Sequence, residues 1–92
     1  QDTPLSMFLS SIKGRQHGNF VRFKNKFAED VANDKLPLLS FIEPRYYDRE
    51  DRGEFADDQH PPHNISRGDN LIRDVYETLL ANPDVFDKTL LI

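Results

Sequence analysis

Leu38-Leu39-Ser40-Phe41-Ile42 is the stretch on which the fold turns. Four of its five residues are large and apolar, and Pro37 and Pro44 fence it in. It is too short for a helix and shows no polar–apolar alternation. It therefore reads as a strand buried on both faces, the pattern of a parallel sheet. Glu43-Pro44-Arg45 closes it. Ligands in parallel α/β sheets bind at the carboxyl ends of strands, so Glu43 and Arg45 are candidate substrate-binding residues. A local ion pair between them is the competing reading.

Upstream, Asn33-Asp34-Lys35 and Pro37 end a helix predicted over residues 20–33, with Asn19 as its cap. Phe20, Phe23, Phe27 and Val31 fall at spacings of three and four and make its core stripe. Before it, Lys13-Gly14-Arg15-Gln16-His17-Gly18 reads as a loop with His17 in solvent. Thr3 and Pro4 open a first short helix that puts Leu5, Phe8, Leu9 and Ile12 on one face. Residues 4–33 are thus expected to be helical.

Downstream, residues 46–58 form a long polar excursion of mixed charge, broken by Gly53. Ser66-Arg67-Gly68-Asp69 has the spacing of a capping box, and a helix is predicted from there to about Ala81. Its buried face would be Leu71, Ile72, Val75, Leu79 and Leu80, with Arg73 and Glu77 paired outside. Asn82-Pro83-Asp84 stops it, and Val85 and Phe86 pack over the turn. Thr89-Leu90-Leu91-Ile92 reads as a second buried strand. Strand, loop, helix, strand is a βαβ unit over residues 38–92, with parallel strands and a right-handed crossover. Two parallel strands cannot cover their own faces. The expected fold is α/β: one piece of a larger, mostly parallel sheet with helices on its faces.

Composition agrees with a foldable chain. The 92 residues suit one small domain, with 37% hydrophobic and 30% charged residues. The net charge of −4 supplies no basic stripe, so no nucleic-acid partner is expected. There is no cysteine, which removes disulfides and thiolate chemistry. No apolar run reaches membrane-span length, and no targeting signal is visible, so localisation is left unassigned. The chain begins at Gln1, as expected if it were processed or taken from a longer protein.

The chemistry concentrates in Ala56-Asp57-Asp58-Gln59-His60-Pro61-Pro62-His63-Asn64. The prolines remove two donors and rule out helix interior or central strand. Pro61 also drives His60 toward an extended backbone. A stiff loop holding imidazoles beside carboxylates suits an active site, while a solvated polar loop is the bland alternative.

Taken together, several blocks are similar to one known family. They are Lys35-Leu36-Pro37-Leu38-Leu39-Ser40-Phe41-Ile42-Glu43-Pro44-Arg45-Tyr46, Asp58-Gln59-His60-Pro61-Pro62-His63, Gly68, Val75-Tyr76-Glu77-Thr78-Leu79, Asn82-Pro83 and Lys88-Thr89-Leu90-Leu91-Ile92. In order and spacing they resemble the central part of the phosphoesterase family that contains the non-specific phospholipases C and related acid phosphatases. The resemblance covers about residues 20–92. It implies an alkaline-phosphatase-like sheet, hydrolysis of phosphate esters, a hydroxyl nucleophile and a divalent metal. The family's Asp-(Glu, Asp or Gln)-His-Pro motif falls on Asp58, Gln59, His60 and Pro61. That assigns His60 to the phosphoryl site, with Asp58 as its orienting carboxylate and His63 as a substrate-contact candidate. Gln59 departs from the acidic residue common there. The family's nucleophile and metal-binding segments have no counterpart in this chain, so no metal ligand is assigned here. The resemblance thus implies that the chain alone is inactive and needs the remainder of its parent domain. The implied substrate is a phospholipid or a small phosphomonoester. Two other readings are a non-catalytic interaction domain and a metal-binding module using His60, His63 and Asp57 or Asp58.

Overall fold

The structure, a computed structural model, describes residues 21–92. The predicted first helix, the glycine loop with His17, Asn19 and Phe20 lie outside the described residues; the second helix starts three residues later than predicted, with Arg22 at its N-cap, so Asn19 does not cap it. Helix α1 runs Phe23–Ala32. Its stripe faces inward as the spacing predicts: the Phe23 and Phe27 rings stack at 5.0 Å, and Val31 is buried. Lys26 and Asp30 pair one turn apart at 2.6 Å. The helix stops where Asn33-Asp34-Lys35 predicts. Asp34 takes the left-handed conformation, with φ 53°. Its N–H donates to the Val31 carbonyl at 3.2 Å, and that of Lys35 donates to Asp30 at 2.7 Å. This double closure satisfies carbonyls that a helix end otherwise leaves open.

The strand expected at residues 38–42 does not form, and neither does its partner at residues 90–92. Among the described residues there is no sheet, only an isolated antiparallel bridge between Arg49 and Glu54. Leu38, Leu39 and Phe41 are 108%, 85% and 80% exposed; Leu90 and Ile92 are 81% and 108% exposed. The reason is physical. A strand satisfies its backbone only through neighbours, and both of these segments are apolar on both faces. The pattern records an environment that the described residues do not supply. They are mostly helical, and the βαβ unit is not seen in them.

Helix α2 spans Ile65–Leu80 and starts two residues before the expected position. Its cap is Asn64, not Ser66: Asn64 Oδ1 accepts from the Ser66 N–H at 3.0 Å and the Ser66 hydroxyl at 2.7 Å. Asp69 does not complete a capping box with Ser66; its carboxylate accepts from Gln59 Nε2 at 2.7 Å. Helix α3, Pro83–Phe86, follows at once with proline in its first turn. The three helices meet in a core of Val31, Val75, Leu79 and Val85, ringed by Phe23, Phe27, Leu36, Ile42 and Phe86. Each such buried side chain contributes roughly 1.5–3 kcal/mol. Asn82 Nδ2 donates to the Val31 carbonyl at 2.8 Å and ties the two helix ends together. The edge of Phe86 meets Tyr76 at 5.7 Å, so Val85 and Phe86 do pack over the turn. Of the five residues predicted to be the buried face of α2, Val75 and Leu79 are buried and Leu71 is half-buried. Ile72 and Leu80 are exposed, and Tyr76 lies between them on the same side. Thus α2 has one apolar face covered by α1 and α3, and a second one open.

Candidate functional site

The two histidines sit on a loop pinned at both ends. At its start, the N–H groups of Asp57 and Asp58 donate to the Arg45 carbonyl at 3.0 and 3.2 Å. The Arg45 N–H donates in return to Asp57 Oδ1. Arg45 Nη1 donates to the Phe55 carbonyl at 2.9 Å, and the Ala56 N–H donates to Asp48 Oδ1 at 2.7 Å. Ala56 is fully buried beneath this set. A 3₁₀ turn at Glu50–Arg52 ends at Gly53, whose φ of 61° suits a glycine. The long polar excursion is therefore an ordered, self-bonded loop.

At its other end the loop rests on α2. The Arg67 guanidinium lies 4.3 Å from the centre of the Phe55 ring. Gln59 bridges to Asp69. Gly68 makes the contact possible: a Cβ there would stand 2.5 Å from Gln59 Cγ and 3.0 Å from the Asp57 carbonyl. A side chain at position 68 would force the Gln59 side chain or the loop backbone to shift.

His60-Pro61-Pro62-His63 is a tight turn, closed by the His63 N–H donating to the His60 carbonyl at 3.0 Å. Its Pro61–Pro62 bond is cis. The turn separates the fates of the two imidazoles. His60 is exposed, and its Nδ1 lies 2.7 Å from the Pro61 carbonyl. His63 is half-buried, and its Nδ1 lies 2.5 Å from Asp58 Oδ1. Both acceptors call for an Nδ1–H, which leaves Nε2 on each ring for chemistry. The carboxylate of Asp58 thus reaches His63, where the sequence reading gave it to His60.

Arg45 forms the loop base from the 38–42 side, and Glu43 acts electrostatically on the neighbouring Tyr46. Tyr46 joins them, a residue to which the sequence reading gave no role. Burial pushes its phenol above the ordinary value, and the Glu43 and Asp58 carboxylates push it further. Tyr46 therefore keeps its proton to higher pH than an ordinary phenol. Its only sequence signal was its place in the string Glu43-Pro44-Arg45-Tyr46.

The metal-module reading does not assemble. Among the described residues no three histidine or carboxylate groups lie together as a metal site. Asp58 is engaged by His63 and Asp57 by the Arg45 N–H. The described residues do not by themselves fit a metal centre.

Comparison with known proteins gives one consistent answer. The phosphoesterase family profile matches residues 3–92. Non-specific phospholipase C6 of Arabidopsis thaliana is 37% identical over 93 aligned residues, covering 100% of this chain and 17% of that protein. Non-specific phospholipase C1 of the same plant is 34% identical over the same share of each chain. Phospholipase C B of Mycobacterium tuberculosis is 36% identical over 66 residues, 72% of this chain and 11% of that protein. The chain therefore spans about a sixth of the length of the plant relatives it matches. No solved structure matches it significantly.

Proposed function

The chain belongs to the phosphoesterase family, and from that membership we propose that it is the central part of a phospholipase C-type hydrolase that cleaves phosphate esters. The observation that carries the reading is the family match across residues 3–92, with relatives named phospholipase C over the whole chain. Phospholipid is the favoured substrate class, since the names of those relatives state it. Among the described residues no helix is long and apolar enough to cross a membrane.

In this reading the segment Asp58-Gln59-His60-Pro61 is the phosphoryl-facing part of the site. His60 is the group that meets the phosphate oxygens: its ring is exposed and its tautomer is set by the Pro61 carbonyl. Glu43 and Arg45 shape the rim beside it. The nucleophile belongs to the rest of the parent chain. The divalent metal implied by the family would take its ligands mostly from there as well. The apolar segments 38–42 and 90–92, with the open face of α2, would be two parallel strands and the helix that covers them. That gives the larger α/β sheet its place beside the described helices.

The test is His60→Ala in the full-length protein. The expected outcome is a fall in kcat of about a hundredfold or more, the scale of one acid–base group or oxyanion donor. KM should move little, because the contact is made mainly in the transition state. Steady-state kinetics on a phospholipid and a soluble phosphoester check it. An unchanged kcat on both would return His60 to a solvated loop.

A further inference from the structure

Resting on the phosphoesterase reading, we propose that the Asp58–His63 pair is the proton-transfer unit of this site. His63 is the general acid that releases the leaving alkoxide, and Asp58 is the positioning residue behind it. The two histidines are three positions apart, yet they are held differently. His60 Nδ1 faces a neutral carbonyl. His63 Nδ1 faces a carboxylate at 2.5 Å, and the side chains of that pair are only 26% and 11% exposed. A carbonyl orients an imidazole; a carboxylate also balances the positive charge of the ring that carries an extra proton.

Both partners are fixed through their backbones. The Asp58 N–H is held by the Arg45 carbonyl and the His63 N–H by the His60 carbonyl. The seat that Gly68 provides for Gln59 lies next to Asp58 in the chain. Such support is what a proton donor needs to keep one geometry through turnover. A solvated loop pair would need none of it.

An attacking hydroxyl, of water or of an enzyme side chain elsewhere in the parent, bonds to phosphorus and loses its proton to solvent. The bond from phosphorus to the leaving oxygen breaks, and its electron pair stays on that oxygen. The proton on His63 Nε2 passes to the same oxygen, an alcohol departs, and the imidazole is left neutral. Solvent returns the proton to Nε2; where the attacking hydroxyl is the enzyme's own, a water then attacks phosphorus and loses its proton to solvent, and the displaced enzyme oxygen takes a proton back before the next cycle.

The experiment follows the leaving group. Full-length wild type, His63→Gln, Asp58→Asn and His60→Ala are assayed on phosphate esters graded from nitrophenyl to alkyl leaving groups. General-acid loss hurts poor leaving groups most, so His63→Gln should lose roughly 10²–10⁴-fold in kcat/KM on an alkyl ester. On a nitrophenyl ester, whose anion leaves unaided, it should lose under about tenfold, as the acid contributes little there. Asp58→Asn should steepen the dependence in the same direction by less. A partly misfolded variant loses the same factor on every ester, so only the slope reports the acid. Unchanged slopes in both His63→Gln and Asp58→Asn overturn the proposal. That outcome combined with a large loss in His60→Ala sinks the pair while leaving the phosphoesterase reading intact. No turnover of any ester by wild type sinks both.

Discussion

Tyr46 is where the environment of the site can be read without a substrate. Burial, then the carboxylates of Glu43 and Asp58, raise its phenol above the ordinary 10.0. The folded chain therefore holds that proton more tightly than the unfolded chain does. The resulting stability is fully present below the unfolded value and is lost as pH rises through the folded one. Thermal unfolding of wild type should fall more steeply between about pH 9 and about pH 11 than that of Tyr46→Phe, which has no phenol to ionise in that range. Equal slopes would mean that Tyr46 is not enclosed by these groups. The sequence made the residue types of this site legible, since Asp58, His60 and His63 all stand out in nine residues. It did not disclose the pairing. Asp58 is two positions from His60 and five from His63, and chain distance favours the nearer ring. The turn at His60-Pro61-Pro62-His63 brings the farther one back. Turn direction is a three-dimensional property that spacing does not carry.

At the scale of elements, the seat of the loop on α2 is the decisive contact. Alanine is ordinarily about 1 kcal/mol better than glycine in a helix. At position 68 its Cβ would meet Gln59 Cγ at 2.5 Å and the Asp57 carbonyl at 3.0 Å. Overpacking of that kind costs about 1–3 kcal/mol, so Gly68→Ala should be net destabilising. Gln59→Ala removes the nearer of the two atoms. The double variant should then be less destabilised than the sum of the two single variants, measured by urea unfolding of the full-length protein. A stabilising Gly68→Ala, or strict additivity, would show that the loop does not rest there. The same contact explains a misreading. Ser66 and Asp69 have capping-box spacing, and that alone cannot reveal that Gln59 will take the Asp69 carboxylate. Local chemistry did fix the end of α1, because the closure at Asn33-Asp34-Lys35 uses only neighbours in sequence. Elements whose partners are local were legible; those whose partners are distant were not.

At the scale of the whole molecule, three apolar surfaces stay largely exposed among the described residues: Leu38, Leu39 and Phe41; Leu90 and Ile92; and the Ile72, Tyr76 and Leu80 face of α2, where Phe86 meets Tyr76. Soluble proteins rarely leave contiguous apolar surface open without a partner. One arrangement would bury all three: two parallel strands with α2 laid across them, inside a larger sheet of the parent protein. In that arrangement Leu39 is a core residue, so Leu39→Asp in the full-length protein buries an unpaired carboxylate. It should cost on the order of 3 kcal/mol or more, or abolish soluble folding. In the isolated 92-residue chain Leu39 is 85% exposed. There the same change should shift stability by no more than about 0.5 kcal/mol, the usual range for a surface position. The isolated chain should also bind an apolar-surface dye and turn over no phosphoester, since no metal-ligand cluster is assembled among the described residues. Thermal unfolding of both forms, with and without the substitution, decides the matter. A harmless Leu39→Asp in the full-length protein would remove the strand from the sheet, and antiparallel pairing of 38–42 with 90–92 would remove the crossover itself.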